Sequence, residues 1–199
     1  MICRDFVWFA VRMLNGVTSP GDQTPDALRE RVRQSVVDKH PIDAVEATCI
    51  AEFLRHFDSL EHPFDEHANP VHVTGSAVVI GPRGVVLIRH KRLGIWLQPG
   101  GHVDAGETPW DGARREAHEE TGLVVGFAGG SPQLVHVDVH LGGRGHTHLD
   151  LRYLVEAEDA DPQPPEGESQ EIGWFDWDAA IARADDERLK SLLRALQPV

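Results

Sequence analysis

The most informative segment of this sequence runs from residue 100 to residue 123 and reads GGHVDAGETPWDGARREAHEETGL. Thr108 followed by Pro109 is typical of a helix N-cap and first helical position, and Gly122 is typical of the residue just past a helix C-terminus. We therefore expect a glycine-rich loop followed by a helix that begins near Pro109 and ends before Gly122.

The expected helix carries a cluster of carboxylates. Residues three and four positions apart share one helix face, with Cβ atoms about 5–6 Å apart, so Glu116 projects alongside Glu119 and Glu120. Like charges at that spacing repel, and the cluster needs a counter-charge from outside the helix. Mg²⁺ prefers oxygen ligands and is typically held by a few carboxylates together with substrate phosphate. This face is therefore either a divalent-cation site or a solvated charged surface.

Other residues of the segment suit such a site. Arg115 can pair with a preceding glutamate, Glu107, and so fix the loop against the helix. The glycines at 100, 101 and 106 allow the backbone to approach a ligand or metal closely.

The segment resembles the Nudix box. Gly101 is followed after five intervening residues by Glu107, and Glu107 after seven intervening residues by Arg115 and Glu116. The remaining defined positions are occupied by apolar Ala117, Glu119, Glu120, Gly122 and apolar Leu123, and any residue is allowed at positions 118 and 121. A match at all of these positions arises by chance with a probability on the order of 10⁻⁷ at typical composition. The sequence is identified as a member of the Nudix hydrolase superfamily, over about Val71 to Leu196.

The resemblance implies the fold and the reaction. The fold would be α/β, a Nudix-type α/β/α sandwich around a mixed sheet. The reaction would be cleavage of the diphosphate linkage of a nucleotide or nucleoside diphosphate conjugate, by water attack on phosphorus. The cofactor would be Mg²⁺, for which Mn²⁺ can substitute, and the partner a small phosphorylated molecule.

The resemblance also implies residue roles. The implied metal ligands are Glu116, Glu119, Glu120 and a backbone carbonyl at or near Gly101. Glu119 would alternatively activate the water, with Glu107 and Arg115 as orienting members of the catalytic group. Glu168 and Glu171, in the acidic loop before the last predicted strand, are alternatives for the general base.

A basic run, Arg89 to Arg92, lies just after a predicted strand and just before the box loop. We expect Arg89, Lys91 and Arg92 to contact the phosphates of the substrate, although such a run is also typical of a solvated turn. Trp96 is either a stacking surface for a base or a core residue.

Histidines and aspartates alternate on two further predicted strands, so that each set points to one side of its strand. The members are His136, Asp138, His140, His146, His148 and Asp150. They are candidates for substrate contacts or for a second metal, and hydrogen-bonded histidines on an exposed strand face are the alternative.

Before Val71, the pattern predicts a helical hairpin, with one helix from Pro25 to about Asp38 and another from about Pro41 to Phe57. An apolar stripe on the second helix comprises Val45, Cys49, Phe53 and Phe57. The stripe is ordinary packing surface, a homodimer interface or a lid over the active site. The expected organisation is a segment 1–23, the hairpin 24–65 and the Nudix domain 70–197, with Met1 to Leu14 as an apolar stretch.

Composition bounds the remaining possibilities. The chain has 199 residues and a formal charge of −13, which argues against binding of duplex nucleic acid. Two cysteines fit a reducing cytoplasm, and no apolar run is long enough to span a membrane.

Two other functions compete with hydrolysis. A non-catalytic Nudix module that senses a ligand is disfavoured by the intact charged positions of the box. Isoprenoid diphosphate isomerisation, which Nudix relatives perform with a cysteine of the core domain, is disfavoured because Cys3 and Cys49 both precede Val71.

Overall fold

The computed structural model describes residues 24–198. The predicted segment 1–23, with the apolar stretch Met1 to Leu14, lies outside the described residues. Among residues 24–198, none of the helices combines the length and hydropathy needed to cross a bilayer.

The described residues begin with the predicted hairpin, formed by α1 (Pro25–Val37) and α2 (Ala44–Ser59). The Thr24 side chain caps α1 as expected. Helix α2 begins later than predicted because Asp43, whose side chain accepts the Glu46 N–H at 2.8 Å, is its N-cap.

A mixed sheet of eight strands follows, with helices on both sides. The strands are β1 (Val71–Gly81), β2 (Gly84–Arg89), β3 (Trp96–Leu97), β4 (Gly100–His102), β5 (Val125–Phe127), β6 (Leu134–Leu141), β7 (Thr147–Ala157) and β8 (Ile172–Phe175). The helices are α3 (Pro109–Thr121), α4 (Trp177–Arg183) and α5 (Glu187–Leu196). Strand β1 pairs in parallel with β7 and antiparallel with β2 and β4, while β7 pairs antiparallel with β5 and β6. The predicted α/β sandwich around a mixed sheet is confirmed.

Two apolar cores lie on opposite faces of the sheet, because side chains alternate along each strand. Val73 and Ala77 of β1 face the core shared with α3 and the hairpin, whereas Val78 faces the core shared with α4 and α5. At Gly75, α3 approaches so closely that the Pro109 carbonyl fills the space a Cβ would need. This close packing holds the carboxylate helix firmly against β1.

Helix α2 covers the open edge of the sheet at β6. Glu46 is completely buried and accepts hydrogen bonds from the N–H groups of Val137 at 2.9 Å and Ile42 at 2.7 Å. Val45, which we expected on the buried stripe, is 50% exposed. The expectation for Val45 is wrong because the edge strand presents a backbone donor that needs an acceptor, and Glu46 turns inward to supply it.

The rest of the stripe is packing surface. Phe53 and Phe57 are fully buried in the same core as Val73 and Val137. These side chains are therefore engaged within the chain, which leaves them unavailable for a dimer interface or a lid. The hairpin and the sheet share one core.

Candidate functional site

Helix α3 and strand β4 position the carboxylates. Gly101 lies opposite Gly75 on β1, and the Glu116 carboxylate occupies the place where a Cβ on Gly101 would be. A glycine is therefore required at 101 for the glutamate to lie against the backbone of β4.

Arg115 ties the loop to the helix. It donates to Glu107 from Nε at 3.1 Å and from Nη2 at 3.0 Å, and Nη2 also donates to the His102 carbonyl at 2.9 Å. Its Nη1 donates to Glu116 at 2.8 Å and to Glu119 at 2.9 Å. The expected pairing of Glu107 with Arg115 is confirmed, and the same guanidinium orients two further carboxylates of the box.

Glu120 lies deeper in the site, where its carboxylate accepts the Gly100 N–H at 2.9 Å. Burial raises the pKa of Glu120 to about 8, a shift that the Gly100 hydrogen bond opposes and the charges of Glu116, Glu168 and Glu119 reinforce. Burial likewise raises the pKa of Glu116, against the opposing effect of Arg115. Both carboxylates would ionise more readily beside a cation.

This donor set fits a hard divalent cation. Glu116 and Glu120 offer carboxylate oxygens next to the β4 backbone, and oxygen is the donor that Mg²⁺ prefers. Glu107 is less suitable as a ligand, because Arg115 engages both of its oxygens. Glu119 is exposed and contacts Arg115.

A cavity of about 720 Å³ adjoins Glu116. It lies between β4, the end of β6 and the start of β7, a volume that suits a small organic ligand. Its polar lining includes Arg92, Arg144, His140, His148 and Asp150.

Of the basic residues predicted to bind substrate, Arg92 lines the cavity. Arg89 does not, because Glu171 holds its Nη1 at 2.9 Å through both carboxylate oxygens. Lys91 is exposed and also lies outside the lining. The structure adds Arg144, which sequence reasoning missed although it lies in the glycine-rich turn between β6 and β7. Among the residues described, 24–198, neither Arg92 nor Arg144 forms an ion pair.

Trp96 packs away from the cavity. Its ring contacts Phe175 edge-on, with ring centroids 5.5 Å apart, and the Arg183 guanidinium lies 4.9 Å from its centroid. The side chain is a partly buried neighbour of the core formed with α4 and α5. Of the two alternatives for Trp96, this packing favours the core residue, and the ring is not among the residues that line the cavity.

The two alternative general bases in the acidic loop before β8, Glu168 and Glu171, lie in different surroundings. Glu171 is held by Arg89, whereas Glu168 is close enough to Glu120 for its charge to raise the pKa of that carboxyl. Glu168 is thus the member of this pair that lies near the box.

The alternating histidines and aspartates also divide into two groups. His140, His146, His148 and Asp150 line the cavity. His136 and Asp138 are buried away from it.

The buried members surround Arg152. Arg152 contacts Asp138 at 3.0 Å, Asp150 at 3.2 Å and Asp186 at 3.2 Å. Arg188 also reaches Asp138, at 3.0 Å. These contacts join β6 and β7 to the start of α5, so this part of the pattern serves to hold the wall of the cavity.

Two histidines that the strand pattern did not single out join the same wall. His72, on β1, lies opposite His148 of β7, and His102 follows Gly101 on β4. The register of β1 with β7 brings them together, and local sequence spacing carries no signal for that register.

The comparisons with known proteins agree with this geometry. A family model described as NUDIX domain matches residues 70–196. The chain is 28% identical over 130 residues to a "Probable DHNTP pyrophosphohydrolase" of Lactococcus lactis, covering 63% of this chain and 78% of that protein. It is 34% identical over 114 residues to an "Oxidized purine nucleoside triphosphate hydrolase" of Mus musculus, covering 51% of this chain and 64% of that protein. Among solved structures, a hydrolase of the NUDIX family from Clostridium perfringens superposes with a TM-score of 0.54 at 25% identity, covering 63% of this chain and 98% of that one.

Proposed function

Since this chain belongs to the Nudix family and is a pyrophosphohydrolase of that family, we propose that it cleaves the diphosphate linkage of a nucleotide or nucleoside diphosphate conjugate with Mg²⁺ as its cofactor. The observation that carries the proposal is the pair of partly buried carboxylates, Glu116 and Glu120, held against β4, where Glu116 lines a cavity of about 720 Å³.

Glu116 and Glu120 would hold the cation, with the Gly101 carbonyl completing the protein ligands and Mn²⁺ able to replace Mg²⁺. When bound, the cation supplies charge neutralisation at the phosphates and a lowered pKa for a bound water. The raised pKa values of the two carboxyls, caused mainly by burial, support this assignment, because a bound cation would favour the ionised form of each group.

The remaining box residues orient the reacting groups. Arg115 fixes the rotamers of Glu116 and Glu119 through its Nη1. Glu107 holds Arg115 in turn and accepts the Asp104 N–H at 3.1 Å, which shapes the loop. We assign Glu119 as the group that accepts the proton of the attacking water, with Glu168 as the alternative.

Arg92 and Arg144 are positioned to receive the phosphates. They project from opposite loops into the cavity lining, where Arg92 lies against Gly143. Arginine favours bidentate contacts with phosphate oxygens. Two such side chains also explain how a protein of formal charge −13 can receive an anionic substrate.

Relatives named for triphosphate substrates support nucleotide-like triphosphates as the first compounds to test. Purified protein would be screened with Mg²⁺ or Mn²⁺ against modified nucleoside triphosphates, sugar nucleotides, dinucleoside polyphosphates and capped RNA. We expect release of phosphate or pyrophosphate that requires the metal and disappears in the Glu120→Gln variant. Tight binding of one of these compounds without any hydrolysis would instead favour the ligand-sensing alternative.

The cellular setting is also a proposal. Cys49 is a buried free thiol that lies 3.6 Å from Asp138, and it is not part of the cavity lining. A buried thiol of this kind is compatible with the reducing cytoplasm. Its position also gives no support to cysteine-dependent isomerisation at the cavity.

A further inference from the structure

Four histidines and one glutamate lie together, four of them in the lining of the cavity and His72 buried behind them. The members of this histidine cluster are Glu66, His72, His102, His146 and His148. The His72 ring centroid lies 5.1 Å from those of His102 and His148 and 5.2 Å from that of His146. The residues come from the loop before β1, from β1, β4 and β7, and from the turn before β7, so the tertiary fold assembles the cluster.

His72 is the centre of the cluster and is completely buried. Its Nδ1 lies 3.1 Å from the Asn69 carbonyl oxygen, which only accepts hydrogen bonds, so Nδ1 carries the proton. The lone pair is therefore on Nε2, which has no hydrogen-bond partner among residues 24–198. An unsatisfied buried acceptor is costly. A histidine oriented by a carbonyl through one nitrogen, with the other nitrogen free, is the usual arrangement of a metal ligand.

The ligand atoms around His72 are grouped closely enough for one ion. One atom from each of His72, His102 and His148 lies within 4.8 Å of the others, and the same holds for Glu66, His72 and His146. Both groups include His72, so they overlap at this residue. We infer that the histidine cluster binds a transition-metal ion of the Zn²⁺ class, through His72, His102 and His148, with Glu66 or His146 as the fourth ligand.

The donor chemistry separates this site from the carboxylates of the box. Imidazole nitrogen suits Zn²⁺, Cu²⁺ or Ni²⁺, whereas Mg²⁺ requires oxygen donors. Zn–N bonds of about 2.0–2.1 Å in tetrahedral geometry place ligand nitrogens about 3.3 Å apart. The rings would therefore move inward on binding, which is feasible because His102 and His148 are only partly buried.

The ionisation states also favour metal binding. Burial lowers the pKa of His72, and it lowers the pKa of His148 to about 4, with the neighbouring histidines adding to the effect. The charge of Glu66 acts in the opposite direction on His72. Neutral imidazoles are the form that coordinates a metal.

The site would act on the same cavity as the box. His102 directly follows Gly101, its carbonyl accepts a hydrogen bond from Arg115, and both His102 and His148 line the cavity with Glu116. An ion held there would add positive charge where an anionic ligand enters. That consequence rests on the proposed function, whereas metal binding by the cluster does not.

The test is titration of untagged, chelator-treated protein with Co²⁺, which reports on imidazole coordination through its visible spectrum, and then with Zn²⁺ by calorimetry. We expect one equivalent of Zn²⁺ to bind and to displace Co²⁺, and excess Mg²⁺ to leave it bound. His148→Ala and His72→Phe should each weaken Zn²⁺ binding by at least about tenfold.

Two controls separate this site from other metal binding. His62→Ala removes an exposed histidine, whose side chain is 66% accessible, and should leave the affinity unchanged. Glu120→Gln should abolish hydrolysis but retain the Co²⁺ spectrum and the Zn²⁺ affinity. Circular dichroism checks that each variant is folded. If replacement of the buried His72 prevents folding, the Zn²⁺ affinity of His148→Ala decides the test.

Absence of Zn²⁺ binding by the wild type would overturn the inference, and so would unchanged affinity in His148→Ala. Loss of Co²⁺ binding in Glu120→Gln would likewise overturn it, by assigning the ion to the box. Failure of the proposed function would appear differently, as Zn²⁺ binding by the cluster without hydrolysis of any compound in the screen.

Discussion

Arg115 connects the glycine loop, the carboxylate helix and β4 through one guanidinium. Its side chain is mostly buried, as is that of Glu107. Removing either partner leaves a poorly compensated charge in a partly buried position, which is more costly than breaking an exposed pair. We expect Arg115→Met to destabilise more than Glu107→Gln, because Arg115 also contacts Glu116 and Glu119.

A double-mutant cycle of Glu107→Gln and Arg115→Met tests this coupling. The free energy of unfolding from urea denaturation should show a coupling energy of about 1–3 kcal/mol, with the double variant milder than the sum of the single ones. Thermal unfolding with and without Mg²⁺ would accompany it. Strict additivity would show that the two residues act independently, and Glu107 would then be reassigned to the metal ligands.

His136 gives the protein a defined pH dependence. Burial, followed by the charge of Arg152, lowers its pKa to about 4 in the folded state, compared with about 6.5 when unfolded. The unfolded state therefore binds more protons between these pH values. The resulting stability is fully present above pH about 6.5 and is lost as the pH falls towards about 4.

We predict that His136→Phe flattens the dependence of unfolding free energy on pH over this range. The slope should decrease by up to about one proton, or about 1.4 kcal/mol per pH unit. Urea denaturation at several pH values between 4.5 and 7.5 measures it. Parallel curves for wild type and variant would contradict the assignment.

For individual residues, the sequence motif predicted the clustering of the carboxylates and the pairing of Glu107 with Arg115, because their spacing on one helix and its preceding loop fixes their geometry. Arg144 was missed because no local signal places its turn beside the box, and His72 because its neighbours depend on the pairing of β1 with β7. Of the predicted basic run, Arg92 lines the cavity whereas Arg89 and Lys91 do not, because successive side chains on a turn point in different directions.

Helix α2 protects the edge strand β6 through a single buried carboxylate, Glu46. Its removal would leave the Val137 and Ile42 N–H groups without their acceptor and Lys39, 3.2 Å away, without its partner. Each unsatisfied buried donor costs about 1–3 kcal/mol. We predict that Glu46→Ala lowers the unfolding free energy by about 3 kcal/mol, as measured by urea denaturation.

Glu52→Ala is the matched control on the same helix. The Glu52 side chain is 43% exposed and, among residues 24–198, forms ion pairs only with Arg55 and His56. Its replacement should change stability by less than about 0.5 kcal/mol. Equal losses in the two variants would contradict the assignment of the stabilisation to the edge contact.

Elements with strong local signals were predictable. Thr108, Pro109 and Gly122 predicted the limits of α3. Strand β4 was not predicted, because its Gly100-Gly101-His102 sequence has little strand propensity and depends on pairing with β1. Glu46 was likewise unpredictable, since its burial depends on the edge of a strand distant in sequence.

The whole molecule unites the hairpin and the Nudix domain in one core. Phe53 packs with the residues of the sheet, and Arg31 of α1 stacks over Trp110 of α3 at 4.7 Å. A shared core predicts a single cooperative unfolding transition. Circular dichroism and tryptophan fluorescence should therefore give coincident curves.

Phe53→Ala should destabilise the entire molecule by about 3–5 kcal/mol while retaining that single transition. The fluorescence and circular dichroism midpoints should move together. Two separated transitions, with only one shifted by the variant, would instead show that the hairpin folds independently of the sheet.

The most direct test of the central claim is the rate of hydrolysis as a function of Mg²⁺ concentration, using a substrate identified by the screen. Wild type and Glu61→Gln, a change at a side chain that is 91% exposed, should show the same metal-dependent turnover. Glu116→Gln and Glu120→Gln should remain folded and lose at least about a hundredfold in kcat, because each removes a negative ligand with little change in shape. Turnover within about tenfold of wild type for both variants at saturating Mg²⁺ would contradict the assignment of the metal site.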